Sequence, residues 1–323
     1  MSSVEQDNSK RSLEGMETGM RGLSPDFIDE LRTGFLNPIL ERVQKDDSLC
    51  LEIRENYVNI YYRGGNLLKI SVGPQSYLAF FDSNYAKGDD AFARELPPDE
   101  IGNESAAESW LNTMPKMKYA MDLYMGKNRK EEREAQQLIV RENNFGGVSR
   151  ATDYFVCDIE YAHQQDRFDI VAVHWPSRTA IRKKQDGRRL VFVEAKHGDG
   201  AIDGSSGIHS HIVGINQFLD DDANVQALKK EMVNVFNQKL RLGLLNSRKD
   251  LLSFSDEPPM LLLALVNHDP DKLPLHRILE SLPPSPNAEI YLATGCFMGY
   301  GLFDQAVVPL DEARLRFGSY ILS

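Results

Sequence analysis

The chain has 323 residues, of which 41% are hydrophobic and 26% charged, the profile of an ordinary globular protein with room for two domains or one large one. Its 48 acidic and 37 basic side chains give a net charge of −11, which argues against non-specific coating of nucleic acid but permits a local basic groove. Cys50, Cys157 and Cys296 are far apart and form no CxxC pair, so neither a zinc centre nor a disulfide framework is expected and a reducing cytoplasm is the natural compartment.

Residues 1–12 are polar and lack the apolar stretch of a signal peptide. The longest apolar run, 260–266, is too short to cross a bilayer and reads as a buried strand, so no membrane partner is expected. Residues 1–24 show no sustained period and are expected to form a flexible arm. Ser24-Pro25-Asp26 looks like a helix start, and Phe27, Ile28, Leu31, Phe35, Ile39 and Leu40 follow at helical spacing. Strand-like runs at 49–54, 57–62, 66–72 and 76–81 are separated by Glu55-Asn56 and Gly64-Gly65, which suit tight turns. They predict a small antiparallel meander that ends at Pro97-Pro98-Asp99. The aromatic side chains of this meander suit nucleic-acid recognition, dimerisation or simple completion of the fold.

Residues 104–126 read as one or two short helices interrupted near Pro115, and 128–143 as a charged helix stopped by Asn143-Asn144 and Gly146-Gly147. Strand-like runs follow at 154–161, 167–174 and 190–196, with Asp186-Gly187 as a turn signal before the third. A Gly-rich loop, 198–207, leads into a long helical region at about 209–245. A strand at 261–266, a helix at 275–282 and a strand at 289–294 complete the pattern. The expected organisation is an arm (1–24), an α+β subdomain with a helical connector (25–120) and an α/β domain with a mixed sheet (121–323).

In the run 191–196, Phe192, Glu194 and Lys196 point to one face of a strand and Val191, Val193 and Ala195 to the other. A carboxylate and an amine on one face of a hydrophobic strand are costly to bury unless paired or metal-bound. Asp169 sits inside a second apolar run, 167–173, and a hairpin between the two strands would bring it beside Glu194. Two converging carboxylates make a hard-oxygen site that suits Mg²⁺, with Mn²⁺ as a substitute. Lys196 beside such a site could orient or deprotonate a water, or hold negative charge in a transition state.

Asp169 followed by Glu194-Ala195-Lys196, after an acidic helix, resembles the PD-(D/E)XK nuclease superfamily, although Phe168 stands where the family name has Pro. The resemblance covers roughly the last 200 residues. It implies a restriction-endonuclease-like αβββαβ core and metal-dependent hydrolysis of phosphodiesters, DNA before RNA and endonuclease before exonuclease, with defence or restriction as a family-level setting. It also implies Asp169 and Glu194 as metal ligands, Lys196 as the catalytic amine, and a further acid from the preceding helix. Glu134 is the choice for that acid and Glu131 the substitute, one turn earlier. A polar residue from the helix after the third strand is implied as well, with Gln217 first and His209 or His211 as alternatives. Cutting both strands of a duplex calls for two sites, which a homodimer would supply.

The run 178–189 carries Arg178, Arg182, Lys183, Lys184, Arg188 and Arg189, read as a basic hairpin beside the site that could grip phosphates, against a plain solvated loop. The bland reading of Asp169, Glu194 and Lys196 is a buried ion pair in a catalytically silent nucleic-acid-binding or protein-interaction module. Asp158 and Glu160 read as the solvent face of an edge strand. The Gly-rich loop lacks the Gly-Lys-Ser/Thr of a P-loop, and Trp110 and Trp175 read as core.

Overall fold

The computed structural model describes residues 20–87, 90–163, 166–198, 207–267, 273–295, 301–302 and 304–318. Most of the expected arm, nearly all of the Gly-rich loop and Cys296 lie outside them. The chain divides into two compact units, Met1–Arg133 with Asn237–Leu244, and Glu134–Phe236 with Leu245–Ser323.

The first unit opens with α1 (Pro25–Thr33) and α2 (Asn37–Lys45). Ser24 Oγ accepts from the Phe27 amide and Pro25 occupies the first turn, so α1 starts where the sequence indicates. The single apolar period from Phe27 to Leu40 nevertheless becomes two helices. The Gly34 amide folds back onto the Asp29 and Glu30 carbonyls, and Pro38 starts a new first turn.

Strands β1 (Leu49–Ile53), β2 (Tyr57–Tyr62), β3 (Gly65–Val72) and β4 (Tyr77–Phe80) follow, then α3 (Asp90–Glu95) and β5 (Glu100–Ile101). They form an antiparallel sheet in that order, which β5 extends beyond the Pro97-Pro98 stop. Arg63 (φ 47°) and Gly64 (φ 76°) are both left-handed, as a type I′ hairpin between β2 and β3 requires. Helix α4 (Glu104–Met125) runs unbroken through Pro115. Proline inside a helix costs about 3 kcal/mol. Burial of Trp110, Met114, Met117 and Met121, each worth roughly 1.5–3 kcal/mol, offsets it.

The second unit contains most of α5 (Glu131–Asn144), then β6 (Tyr154–His163), β7 (Asp166–His174), the short α6 (Thr179–Arg182) and β8 (Arg189–His197). The helical region beyond is two helices, α7 (Ile208–Leu219) and α8 (Asp222–Arg241), the last turns of α8 belonging to the first unit. After them come β9 (Met260–Val266), α9 (Leu273–Ser281), β10 (Glu289–Gly295), β11 (Val307–Pro309) and α10 (Leu310–Gly318). The sheet order is β11-β10-β9-β8-β7-β6. Strand β7 runs antiparallel to both of its neighbours, β6 and β8, whereas β8, β9 and β10 run parallel. This is a mixed α/β sheet. β9 is buried along its whole length and β8 throughout its interior, which is why both read as near-continuous apolar runs. Among the described residues no helix is long and apolar enough to cross a membrane.

An irregularity in the edge strand β6 changes one reading of the sequence. The register steps from Val156↔Ala172 to Asp158↔Val171, leaving Cys157 as an extra residue. Asn144 of α5 clamps this point: its Nδ2 donates to the Val156 carbonyl at 2.9 Å and its Oδ1 accepts from the Val156 amide at 2.8 Å. The bulge resets the alternation, so Asp158 is fully buried rather than on a solvent face, and the Glu160 side chain is mostly buried too.

Candidate functional site

The site grows from the point where β7 and β8 stop pairing. Their ladder runs from His174↔Arg189 to Ile170↔Val193, whereas β8 continues against β9 as far as His197↔Val266. Past Val193, β8 therefore loses its backbone partner on the β7 side. Asp169 fills the gap: its Oδ2 accepts the Ala195 amide at 2.9 Å. This bond fixes the Asp169 carboxyl beside the strand carrying Glu194 and Lys196, as the hairpin argument expected. Carboxylates that accept backbone amides are held rigidly, at no rotamer cost when a ligand arrives.

Glu194 and Lys196 share one face of β8 and are almost completely buried, at 1% and 4% exposure. Lys196 Nζ lies 2.7 Å from Glu194 Oε1. His211, in the first turn of α7, places Nδ1 3.1 Å from Glu194 Oε2. Neither contact is aligned as a hydrogen bond, so both Glu194 oxygens are buried, with the Lys196 ammonium beside one and the His211 ring beside the other, but no hydrogen-bond partner. Helix α7 is seated here by an aromatic cluster: Phe168, Phe192 and Phe218 meet edge to face at centroid distances of 5.0–6.2 Å. Phe192 is two residues before Glu194 on the same face, so the packing that fixes the helix also fixes His211.

The carboxyl ends of the parallel strands β8, β9 and β10 lie at this edge, the usual position for a ligand on an open α/β sheet. His197 Nε2 and Asn267 Nδ2 stand 3.0 Å apart there, and Asn267 adopts φ 52°. Glu160 has φ 53°, a left-handed conformation uncommon for a side-chain-bearing residue, and pairs with Arg167. The register pairs on either side, Ile159↔Ile170 and Tyr161↔Phe168, put Glu160 across from Asp169.

The remaining expected residues are distributed differently. Glu134 is half-buried on α5 and Glu131 is exposed, whereas the buried polar side chains in this part of the helix are Gln136 and Gln137. Both amide atoms of Gln136 are buried without a hydrogen bond. Gln217 is exposed and His209 bonds Ser281 Oγ at 3.1 Å. His211, an alternative at the sequence level, is the α7 residue that reaches Glu194.

The basic run is not beside the carboxylates. It connects the end of β7 to the start of β8, whereas Asp169 is near the start of β7 and Glu194 near the end of β8. Five residues of strand, roughly 16 Å, separate Arg189 from Glu194. Arg189 is bound to Glu289, Tyr291 and the Pro258 carbonyl, and Arg188 is buried and bonds the Asp186 carbonyl. Arg182 lies against Phe155, whereas Lys183 and Lys184 are exposed. An antiparallel connection must sit at the end of the hairpin opposite its open termini, and that end is far from the acids.

Among the described residues no group of three His, Cys, Asp or Glu side chains is gathered to hold a metal ion. Asp169 with Glu194 does match the donor set of an ion that takes one or two carboxylates and keeps several waters, as Mg²⁺ does. The two Glu194 oxygens, buried without donors, are the local observation that favours such a fit. Compared with known proteins, the chain matches no family model, no curated protein and no solved structure.

Proposed function

We propose that this chain is a metal-dependent phosphodiesterase, a nuclease of the PD-(D/E)XK type that cuts DNA internally. Glu194 carries the reading. It is a buried carboxylate without hydrogen-bond donors, with Lys196 and His211 at its two oxygens and Asp169 fixed on the adjoining strand. The element order α5, β6, β7, β8, α7, β9, with the short α6 and the long α8 inserted, supports it, since it contains the αβββαβ order of a restriction-endonuclease-like core.

Asp169 and Glu194 would hold Mg²⁺ or Mn²⁺, with Glu134 as the further acid. When bound, the ion would neutralise phosphate charge and acidify a water. Lys196 would orient or deprotonate the attacking water, or hold charge developing on the phosphate, from a largely desolvated position where one positive charge acts strongly. His211 would keep Glu194 in its rotamer. A buried side chain lacking hydrogen-bond donors is positioned by the groups packed against its oxygens, here Lys196 and His211.

One observation favours the second reading, a catalytically silent nucleic-acid-binding or protein-interaction module. Lys196 and Glu194 neutralise each other at 2.7 Å, as a structural pair would. Supercoiled plasmid, linear duplex and single strands incubated with Mg²⁺, Mn²⁺ or EDTA separate the two. Metal-dependent cutting should fall about 10²–10³-fold in Lys196→Ala and in Asp169→Asn, with folding checked by thermal melting. Cutting by Lys196→Ala at the parental rate would sink the nuclease reading. Duplex binding that survives EDTA, with no cutting under any metal, would establish the silent module.

A further inference from the structure

At the other end of the second unit's sheet, near the start of β6 and the end of β7, is a cavity of about 450 Å³, within the size range of small-molecule sites. Its charged lining is entirely basic: Arg150, Arg182, Lys183, Arg248 and Lys249. Among the described residues none of the five is in an ion pair. In a chain of net charge −11, these five cations gather around one concavity, with only the Asp153 carboxylate acting on Arg182 nearby.

The cluster is assembled from three separate stretches of chain and is held in place. Asn246, at the base of the 246–249 loop, takes the Asn144 carbonyl through its amide at 2.7 Å and reaches Ser149 Oγ with its side chain at 2.7 Å. Ser247 Oγ bonds the Lys249 carbonyl at 2.7 Å. Ser177, also in the lining, is fixed by its amide on Asp153 Oδ1 at 2.6 Å. The nearby Asp153 carboxylate is occupied, since its second oxygen accepts the Asp304 amide at 3.0 Å.

Arg182 anchors the cavity. Its guanidinium lies 4.8 Å over the buried Phe155 ring and donates to the Thr152 carbonyl, while Nη1 is buried with no acceptor. A buried guanidinium nitrogen without an acceptor is destabilising until an anion meets it. Burial lowers the Arg182 pKa from its ordinary value, with the Asp153 charge opposing, another sign of a desolvated cation.

We propose that this cavity binds a compact polyphosphate anion, of the kind carried by a nucleoside triphosphate, as a site separate from the Asp169–Glu194 edge. Five cations match a chain of phosphates better than one carboxylate or sulfate. Arg182 would supply the forked, oriented contact, and the lysines and outer arginines point charges at the rim. Ser177, Asn246 and Ser247 add neutral polar groups among these charges. A half-open concavity of this size favours a compact ligand over a nucleic-acid strand, which needs a continuous groove along its backbone.

The test is calorimetric titration of the full chain with inorganic tripolyphosphate, ATP and inorganic phosphate at low salt. Tripolyphosphate and ATP should bind, monophosphate at least about tenfold more weakly, and the double variant Lys183→Ala/Lys249→Ala should lose about tenfold or more in affinity for both polyphosphates. These lysines are exposed, so the fold should survive their removal. Glu194→Gln should leave the affinity unchanged, which keeps this site independent of the nuclease reading. Tighter ATP than tripolyphosphate binding would identify a nucleotide as the source, and equal binding the phosphate chain alone. No polyphosphate binding, or binding unchanged by the double variant, would overturn the proposal. So would binding only of duplex DNA, with affinity rising with its length.

Discussion

Each unit of the molecule buries a Glu–Lys pair whose glutamate lies on a β-strand, and the two pairs are built differently. In the first unit Lys239 Nζ bonds both oxygens of Glu52, at 2.8 and 2.7 Å, and the Cys50 thiol adds a third contact at 3.3 Å. Burial, with the Glu52 charge beside it, raises the Cys50 pKa well above normal, so the thiol keeps its proton and can donate. Glu52 and Lys239 are 0% and 1% exposed, and the pair joins a strand to residues 187 positions later. In the second unit Lys196 and Glu194 stand two residues apart on one strand, close but unaligned, with His211 on the other oxygen. The first is a satisfied tie between distant segments. The second is an electrostatic arrangement held by the strand itself and open to a further ligand.

The two pairs should differ most in stability. Lys239→Met strands a buried carboxylate and should cost about 3–5 kcal/mol in urea unfolding. Lys196→Met leaves Glu194 with His211 and should cost less, about 1–3 kcal/mol, while lowering cleavage about 10²–10³-fold. Equal costs would mean that the Glu194 pair is as structural as the Glu52 pair. His211→Ala should reduce metal affinity or cleavage by about 10–100-fold with the melting temperature nearly unchanged. A rate within twofold of the parent would remove His211 from the site.

The smallest effect belongs to the sheet edge. The Arg189 guanidinium, with the Tyr291 hydroxyl, holds Glu289 below its ordinary value of 4.5. A depressed folded pKa stabilises above the unfolded value and is lost as pH falls through the folded one. Glu289→Gln should therefore cost under about 1 kcal/mol at neutral pH, the side chain being half-exposed, and nothing in strong acid. A cost that persists below the depressed value would show that the contact works through packing rather than charge.

Much of this architecture was legible in the chain. Period-2 runs with Asn56 and Gly64 between them located the meander, because alternation and left-handed turn residues act over a few positions. The Glu-Ala-Lys tripeptide at the end of an apolar strand, and Asp169 within another, gave the pair of strands that meet at the site. The basic loop was misplaced beside it, although chain direction alone puts a hairpin connection opposite the hairpin's open end. Gln217 was placed ahead of His211, because helical spacing does not show which face α7 turns to the sheet. Phe168, Phe192 and Phe218 decide that by packing.

Local sequence therefore specifies the strands, the turns, the start of α1 and the position of Asp169, Glu194 and Lys196 within apolar strands. Each follows from side-chain alternation or capping within about one turn or one strand. Only the tertiary structure decided the rest. A bulge at Cys157 buried Asp158, the packing of four apolar side chains kept α4 continuous through Pro115, and a helix residue 187 positions away met Glu52. Loops from three segments made one basic cavity. These depend on register and on contacts between distant segments, where the gain from packing outweighs local preference and no short stretch of sequence contains both partners.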